Sequence, residues 1–257
     1  MTAPDRLAET TEDRALGGRL VLRQPRRGHR FGHDAILLAA ATAAQAGDTA
    51  VELGAGVGAA GLALAHRVPG LQVMLAELDP ALAALARDNA AGNAMDDRVH
   101  AVACDVAAAD LAARLGVAPG GVDVVLMNPP FHDEARQNVS PDPARRLAHA
   151  GDVSTLPRWV EAAARLLRPG GTLTLIWRAD GLEAVLAALA NGFGAVVVRP
   201  VHPQPGKPAI RVLVRAVRGG EGAPFTLPGL TLAEPDGTPS DAAEAVLRHA
   251  APLPFRA

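Results

Sequence analysis

Thr49-Ala50-Val51-Glu52-Leu53-Gly54-Ala55-Gly56-Val57-Gly58 is the stretch that decides the fold. Thr49 to Leu53 is a short, mostly apolar run with the composition of a buried strand. Ala59 to Arg67 reads as a helix. A G-x-G-x-G pattern carries meaning in the order strand, glycine turn, helix, because glycine tolerates positive φ and lets the backbone approach a ligand closely. The next strand, Leu71 to Ala76, ends in Glu77, about 20 residues past the turn, where an acid reaches the ribose hydroxyls of a nucleotide-type ligand. The third strand, Val99 to Ala103, ends in Cys104-Asp105, and an acid there suits an exocyclic adenine amine. Taken singly, each acid reads first as a helix N-cap or a solvated loop residue. Recurrence at successive strand ends on one edge favours a binding site.

The fourth strand carries the most unusual ending. Val122-Asp123-Val124-Val125-Leu126-Met127 reads as a buried strand and runs directly into Asn128-Pro129-Pro130-Phe131. Proline has no N–H for a ladder and fixes its own φ, so pairing stops and the chain turns rigidly. The result is a stiff shelf with one amide side chain, bare carbonyls and one aromatic face. Such a shelf suits a flat, conjugated molecule bearing an amino group; alone, the same residues also read as a Pro-rich turn.

Outward from these motifs, strands and helices alternate. Asp34 to Ala46 reads as a helix ended by Gly47; further helices are expected near Gly58 to Arg67, Pro80 to Ala91, Ala107 to Leu115, Thr155 to Leu167 and Leu182 to Ala190. Thr172 to Trp177 reads as the fifth strand, and Ala195 to Arg199 and Ile210 to Val217 as the last two. Alternation predicts an α/β fold: a seven-stranded, mostly parallel, doubly wound sheet covered on both faces. The final two strands have no helix between them and are expected to be antiparallel neighbours. Gly18 to Gln24 reads as an exposed strand in a small N-terminal addition. The expected organisation is a mobile N-terminus over 1–15, one domain over 16–218 and a tail over 219–257 with no assigned role.

At this point the chain resembles a known family. Glu52-x-Gly54-x-Gly56-x-Gly58, Glu77, Asp105 and Asn128-Pro129-Pro130-Phe131 look like the motif series of class I S-adenosylmethionine-dependent methyltransferases. The N-P-P-[YF] form marks the branch that methylates exocyclic or amide nitrogens; Phe131 stands where tyrosine is common. Arg26-Arg27-Gly28-His29-Arg30-Phe31-Gly32-His33-Asp34-Ala35-Ile36-Leu37-Leu38 looks like the segment before the first core strand in bacterial valine-tRNA adenine-N6 methyltransferases. Pro205-Gly206-Lys207-Pro208-Ala209-Ile210-Arg211-Val212-Leu213-Val214 is similar to the same group. The resemblance implies a Rossmann-like fold, S-adenosylmethionine as cofactor and an adenine in RNA, above all tRNA, as substrate. It implies cofactor contacts at Glu52, the Gly54–Gly58 backbone, Glu77 and Asp105, and base contacts at Asn128, Pro129, Pro130 and Phe131. Asp34 resembles a position near the cofactor and reads equally as an N-cap.

Composition fits that picture only in part. A chain of 257 residues buries a substantial core. Its formal charge is −2, so RNA contact needs local clusters of positive charge. Arg19, Arg23, Arg26, Arg27 and Arg30 form one run without intervening acids, and Arg136, Arg145, Arg146 and His149 form another. Both also read as solvated faces. One cysteine, a polar and acidic N-terminus and the lack of a long apolar run predict a cytoplasmic protein without a signal peptide, internal disulfide or membrane span. The histidines show no metal-ligand spacing, so no metal is expected. The rival readings are a protein-glutamine N5-methyltransferase acting on a release factor, a nicotinamide-dependent oxidoreductase and a non-catalytic RNA-binding module.

Overall fold

A computed structural model describes residues 9–27, 30–130 and 155–255. Its centre is the alternating unit that the sequence predicts. Strands β3 (Thr49–Leu53), β4 (Gln72–Glu77), β5 (Val99–Ala103), β6 (Val122–Met127), β7 (Leu167–Arg178), β8 (Phe193–His202) and β9 (Arg211–Arg218) form the core sheet. Their order is β8-β9-β7-β6-β3-β4-β5. All neighbours are parallel except β9, which runs antiparallel between β7 and β8. The inserted antiparallel strand separates this sheet from an all-parallel dinucleotide-binding sheet.

Both faces of the sheet are buried, which explains why its strands are continuous apolar runs. In β6, Val124 and Leu126 join one core, and Val125 and Met127 join the other. The first core lies under helices α1 (His33–Ala41), α2 (Ala59–Arg67) and α3 (Pro80–Gly92). The second lies under α4 (Leu111–Leu115), α5 (Thr155–Leu166) and α6 (Leu182–Leu189). Pro80 opens α3 at a position that needs no N–H, and Asp79 caps the helix by accepting from the Ala81 N–H at 2.8 Å.

Four expectations change. Helix α1 ends at Ala41 rather than Ala46. The Thr42 hydroxyl donates to the Leu38 carbonyl at 2.7 Å, and Arg67 of α2 takes the carbonyls of Ala39 and Thr42. These contacts satisfy the helix end and draw the chain away. Second, the folded body begins earlier than residue 16: β1 (Thr10–Ala15) pairs antiparallel with β2 (Leu20–Pro25). Third, β2 is no exposed strand, because Leu20 and Leu22 are fully buried. The cause is α3, whose Asn89 and Asn93 side chains bond the β2 backbone. Asn93 exchanges bonds with Val21 at 3.0 and 2.7 Å, and Asn89 with Arg23 at 2.8 and 3.0 Å.

Fourth, residues after 218 are part of the fold. Strands β10 (Phe225–Thr226) and β11 (Leu230–Thr231) both pair parallel with β8, extending the sheet to nine strands. Helix α7 (Asp241–His249) packs on α1 and on the short turn Leu16–Gly18. Among the described residues no helix is long and apolar enough to cross a membrane.

Candidate active site

Register brings the predicted residues to one edge. Leu53 pairs with Ala76 on one side and Met127 on the other, and Glu77 pairs with Ala103. The next residues, Gly54 and Asn128, therefore leave adjacent strands together beside Glu77, with Asp105 just past the end of β5. Asn128 is half-buried and its Oδ1 atom is buried without a hydrogen-bond partner. A buried, unmet acceptor is costly, by about 1–3 kcal/mol, unless a ligand or water completes it. Pro129 is buried beside it and Pro130 is exposed. Phe131 lies outside the described residues.

The glycine turn is held from both sides. The Glu77 carboxylate accepts the Gly56 N–H at 2.7 Å through Oε2 and the Asp79 N–H at 2.9 Å through Oε1. Asn89 donates to the Val57 carbonyl at 3.0 Å. The glycines serve different needs. Gly54, at φ 68°, lies under the Trp159 indole, and a Cβ there would sit 2.3 Å from the ring. Gly56, at φ 57°, faces open space, so its backbone is bare toward the site. Gly58 is packed, with Leu75 2.9 Å from where a Cβ would stand.

Glu52 takes an internal role. It is 5% exposed, and its Oε2 accepts the Gly61 N–H at 2.6 Å, anchoring the first turn of α2 beneath the glycine turn. Burial pushes its pKa up to about 8; the Gly61 N–H opposes the rise and the Glu77 charge adds to it. At neutral pH Glu52 is thus mostly a neutral acid supporting the turn from below.

The remaining predicted residues divide. Asp105 is exposed and caps its own loop, with Oδ1 accepting the Ala107 N–H at 2.8 Å. Asp34 is not an N-cap, since Gly32 holds that position; it pairs with Arg211 of β9 at 2.8 Å. That pair ties α1 to the sheet. The first arginine run is not free of acid in space, because the β1–β2 hairpin folds acids back onto it. Arg26 pairs with Glu9 at 3.3 Å, and Arg30 with Asp13 at 2.7 Å. Arg30 also donates to Thr11 Oγ1 and the Pro25 carbonyl, each at 3.0 Å, so it braces the hairpin. Arg27 is exposed. Arg136, Arg145, Arg146 and His149 lie outside the described residues.

Three residues of the candidate site escaped the sequence reading. Leu78 is 69% exposed directly after Glu77, an apolar surface beside the carboxylate. Its signal was its position after the acid. Trp159 covers Gly54, and its signal was rarity in a chain with two tryptophans and no tyrosine. Asn89 had no local signal, because its partners lie 32 and 66 residues away.

Comparison with known proteins fits this geometry. The family model for the methyltransferase small domain matches residues 31–199. A tRNA1(Val) (adenine(37)-N6)-methyltransferase of Bacteroides thetaiotaomicron is 28% identical over 196 residues, covering 75% of this chain and 78% of that one. A release factor glutamine methyltransferase of Mycolicibacterium smegmatis is 34% identical over 174 residues, covering 65% of this chain and 59% of that one. Among solved structures, a predicted O-methyltransferase of Agrobacterium tumefaciens superposes with a TM-score of 0.72 at 26% identity, covering 86% of this chain and 98% of that one. With its glycine turn, strand-end acid and N-P-P shelf on one sheet edge, this chain belongs to the methyltransferase small domain family.

Proposed function

We propose that the protein transfers a methyl group from S-adenosylmethionine to the exocyclic amine of an adenine in RNA, with tRNA as the substrate class and the cytoplasm as its place of action. The observation that carries this reading is the unpartnered, buried Asn128 Oδ1 beside the glycine turn. The cofactor fits the residues present. Gly56 offers bare backbone to an open space, and Glu77 already accepts N–H bonds as it would accept ribose hydroxyls. Leu78 offers an apolar surface to the adenine ring beside that acid. Asp105 keeps one carboxylate oxygen beyond its own cap for the adenine amine.

When bound, the cofactor supplies an electrophilic methyl on a sulfonium. An adenine amine is a weak nucleophile because its lone pair is delocalised into the ring. Asn128 Oδ1 and the Pro129 carbonyl are suited to accept its two N–H bonds. That favours a pyramidal nitrogen whose lone pair points at the methyl. Phe131 would stack on the base, a contact worth about 1–3 kcal/mol at nucleic-acid sites. No strong base is required, since the methylated nitrogen is acidic and loses its proton to water. Alignment of donor and acceptor supplies most of the acceleration.

Asn128→Ala is expected to lower methyl transfer to tRNA at least about a hundredfold, the loss typical of one preorganised polar contact. Cofactor affinity, read by calorimetry, stays near wild type. Retained turnover would overturn the assignment. A second reading, methylation of a release-factor glutamine, is supported by the M. smegmatis relative and uses the same amide-nitrogen chemistry at Asn128. Labelled methyl transfer to tRNA measured against transfer to a release factor separates the two.

A further inference from the structure

The carboxyl edge of the sheet carries a second concave feature besides the shelf. His202 ends β8, and since β8 runs parallel to β6, it lies on the same edge as Asn128. A cleft of about 570 Å³ opens there, lined by His202, Gln204, Gly206, Lys207, Gly229 and Thr231 among others, with no carboxylate among its described lining residues. Lys207 is the one lysine among 25 Lys and Arg residues, in a chain that otherwise uses arginine throughout. Among the described residues it has no ion-pair partner, whereas the neighbouring edge cations Arg178 and Arg211 pair with Asp180 and Asp34.

The cleft is held in shape by its own contacts. His202 Nδ1 lies 2.8 Å from the Lys207 carbonyl; a carbonyl only accepts, so Nδ1 carries the proton and the ring fastens the turn that carries Lys207. The ring packs against Gly229, where a Cβ would stand 2.7 Å from Nε2. The Lys207 N–H bonds to the Gln204 carbonyl at 3.2 Å, and the Gln204 side chain bonds to the Glu234 carbonyl at 3.2 Å. The turn that carries the ammonium is thereby tied to the segment after β11.

We infer that this cleft holds a backbone phosphate of the RNA strand whose adenine sits at Asn128. The inference rests on the RNA reading above. Lys207 Nζ supplies charge and Thr231 Oγ1 supplies a hydroxyl donor to one tetrahedral anion. Three strand steps separate β8 from β6, about 14 Å at the usual interstrand spacing, or about four stacked nucleotides. A phosphate held there fixes the strand's register without reading its sequence.

The test measures methyl transfer to tRNA by the full chain over a series of salt concentrations. Lys207→Ala is expected to raise the KM for tRNA about fivefold and to lower the slope of log KM against log salt by about 0.7–0.9, the loss of one phosphate contact. Lys207→Glu raises KM further and Lys207→Arg stays near wild type, while kcat and cofactor affinity hold in all three. The side chain is exposed, so folding is not at stake. An unchanged KM and salt slope in Lys207→Ala, with wild-type turnover on tRNA intact, overturns the cleft and leaves the RNA reading standing. Wild-type transfer to a release factor but not to tRNA overturns both.

Discussion

Glu52 is a motif residue whose carboxyl turns inward, onto the helix that follows the glycine turn. Its carboxyl is buried, and its pKa of about 8 lies well above the usual 4.5 of a glutamate. A raised acid binds its proton more tightly in the folded state. Its contribution is therefore complete below pH 4.5 and is lost as pH rises through about 8. Glu52→Gln keeps an oxygen for the Gly61 N–H and never ionises. The variant and wild type are expected to match in stability near pH 4.5, and the variant to be the more stable by a few kcal/mol above pH 8. Urea unfolding across that range checks this; a difference that is flat with pH would show Glu52 ionised throughout. The sequence exposes such residues only in part. Gly54, Glu77 and Asn128 were legible because each stands at or just past the end of a strand, where local chemistry and position coincide. The inward turn of Glu52 was not, since it depends on the N–H of Gly61 nine residues on.

At the scale of elements, α3 is a bracket between the N-terminal hairpin and the glycine turn. Asn89 is 2% exposed and bonds the Arg23 N–H, the Arg23 carbonyl and the Val57 carbonyl. Removing it strands three backbone groups, two of them on β2 and one inside the glycine turn. Asn89→Ala is expected to destabilise the fold by about 2–4 kcal/mol and to weaken cofactor binding as well. Asn93→Ala, at a half-buried position bonded among the described residues to Val21 and to its own helix, should lower stability less and leave cofactor affinity unchanged. Equal effects on cofactor affinity would sever the link between Asn89 and the turn. The same contacts explain why β1 was read as mobile. Thr10-Thr11-Glu12-Asp13-Arg14-Ala15 is mostly polar and has no apolar period of its own. It is a strand because β2 is fixed by α3, and a pattern window on the first 25 residues cannot contain Asn89.

For the molecule as a whole, the core sheet was readable from alternation, but the closure of its far edge was not. Strand β8 would be an open edge, a template for unwanted pairing, were it not met by β10 and β11. Two-residue strands leave no periodic trace in sequence. The chain then runs through α7 to a fastening made by its last described residues. Phe255 is 4% exposed and sits between Arg199 and Arg215, with guanidinium carbons 5.8 and 5.5 Å from the ring centre. Those arginines also donate to the Pro254 and Phe255 carbonyls at 2.6 and 3.3 Å, and the Leu253 N–H bonds to the Ala40 carbonyl at 2.8 Å. The segment thus ties β8 and β9 to α1, which in turn reaches β9 through Asp34 and Arg211. Phe255→Ala is expected to remove about 3 kcal/mol of stability, because the packed ring goes while both arginines keep their carbonyls. Phe255→Leu, which keeps apolar volume but no π face, should recover most of this and fall short by about 0.5–1 kcal/mol per lost cation contact. Urea unfolding of the two variants separates packing from the cation contact. A loss below about 0.5 kcal/mol in Phe255→Ala would mean that the far edge closes without this anchor.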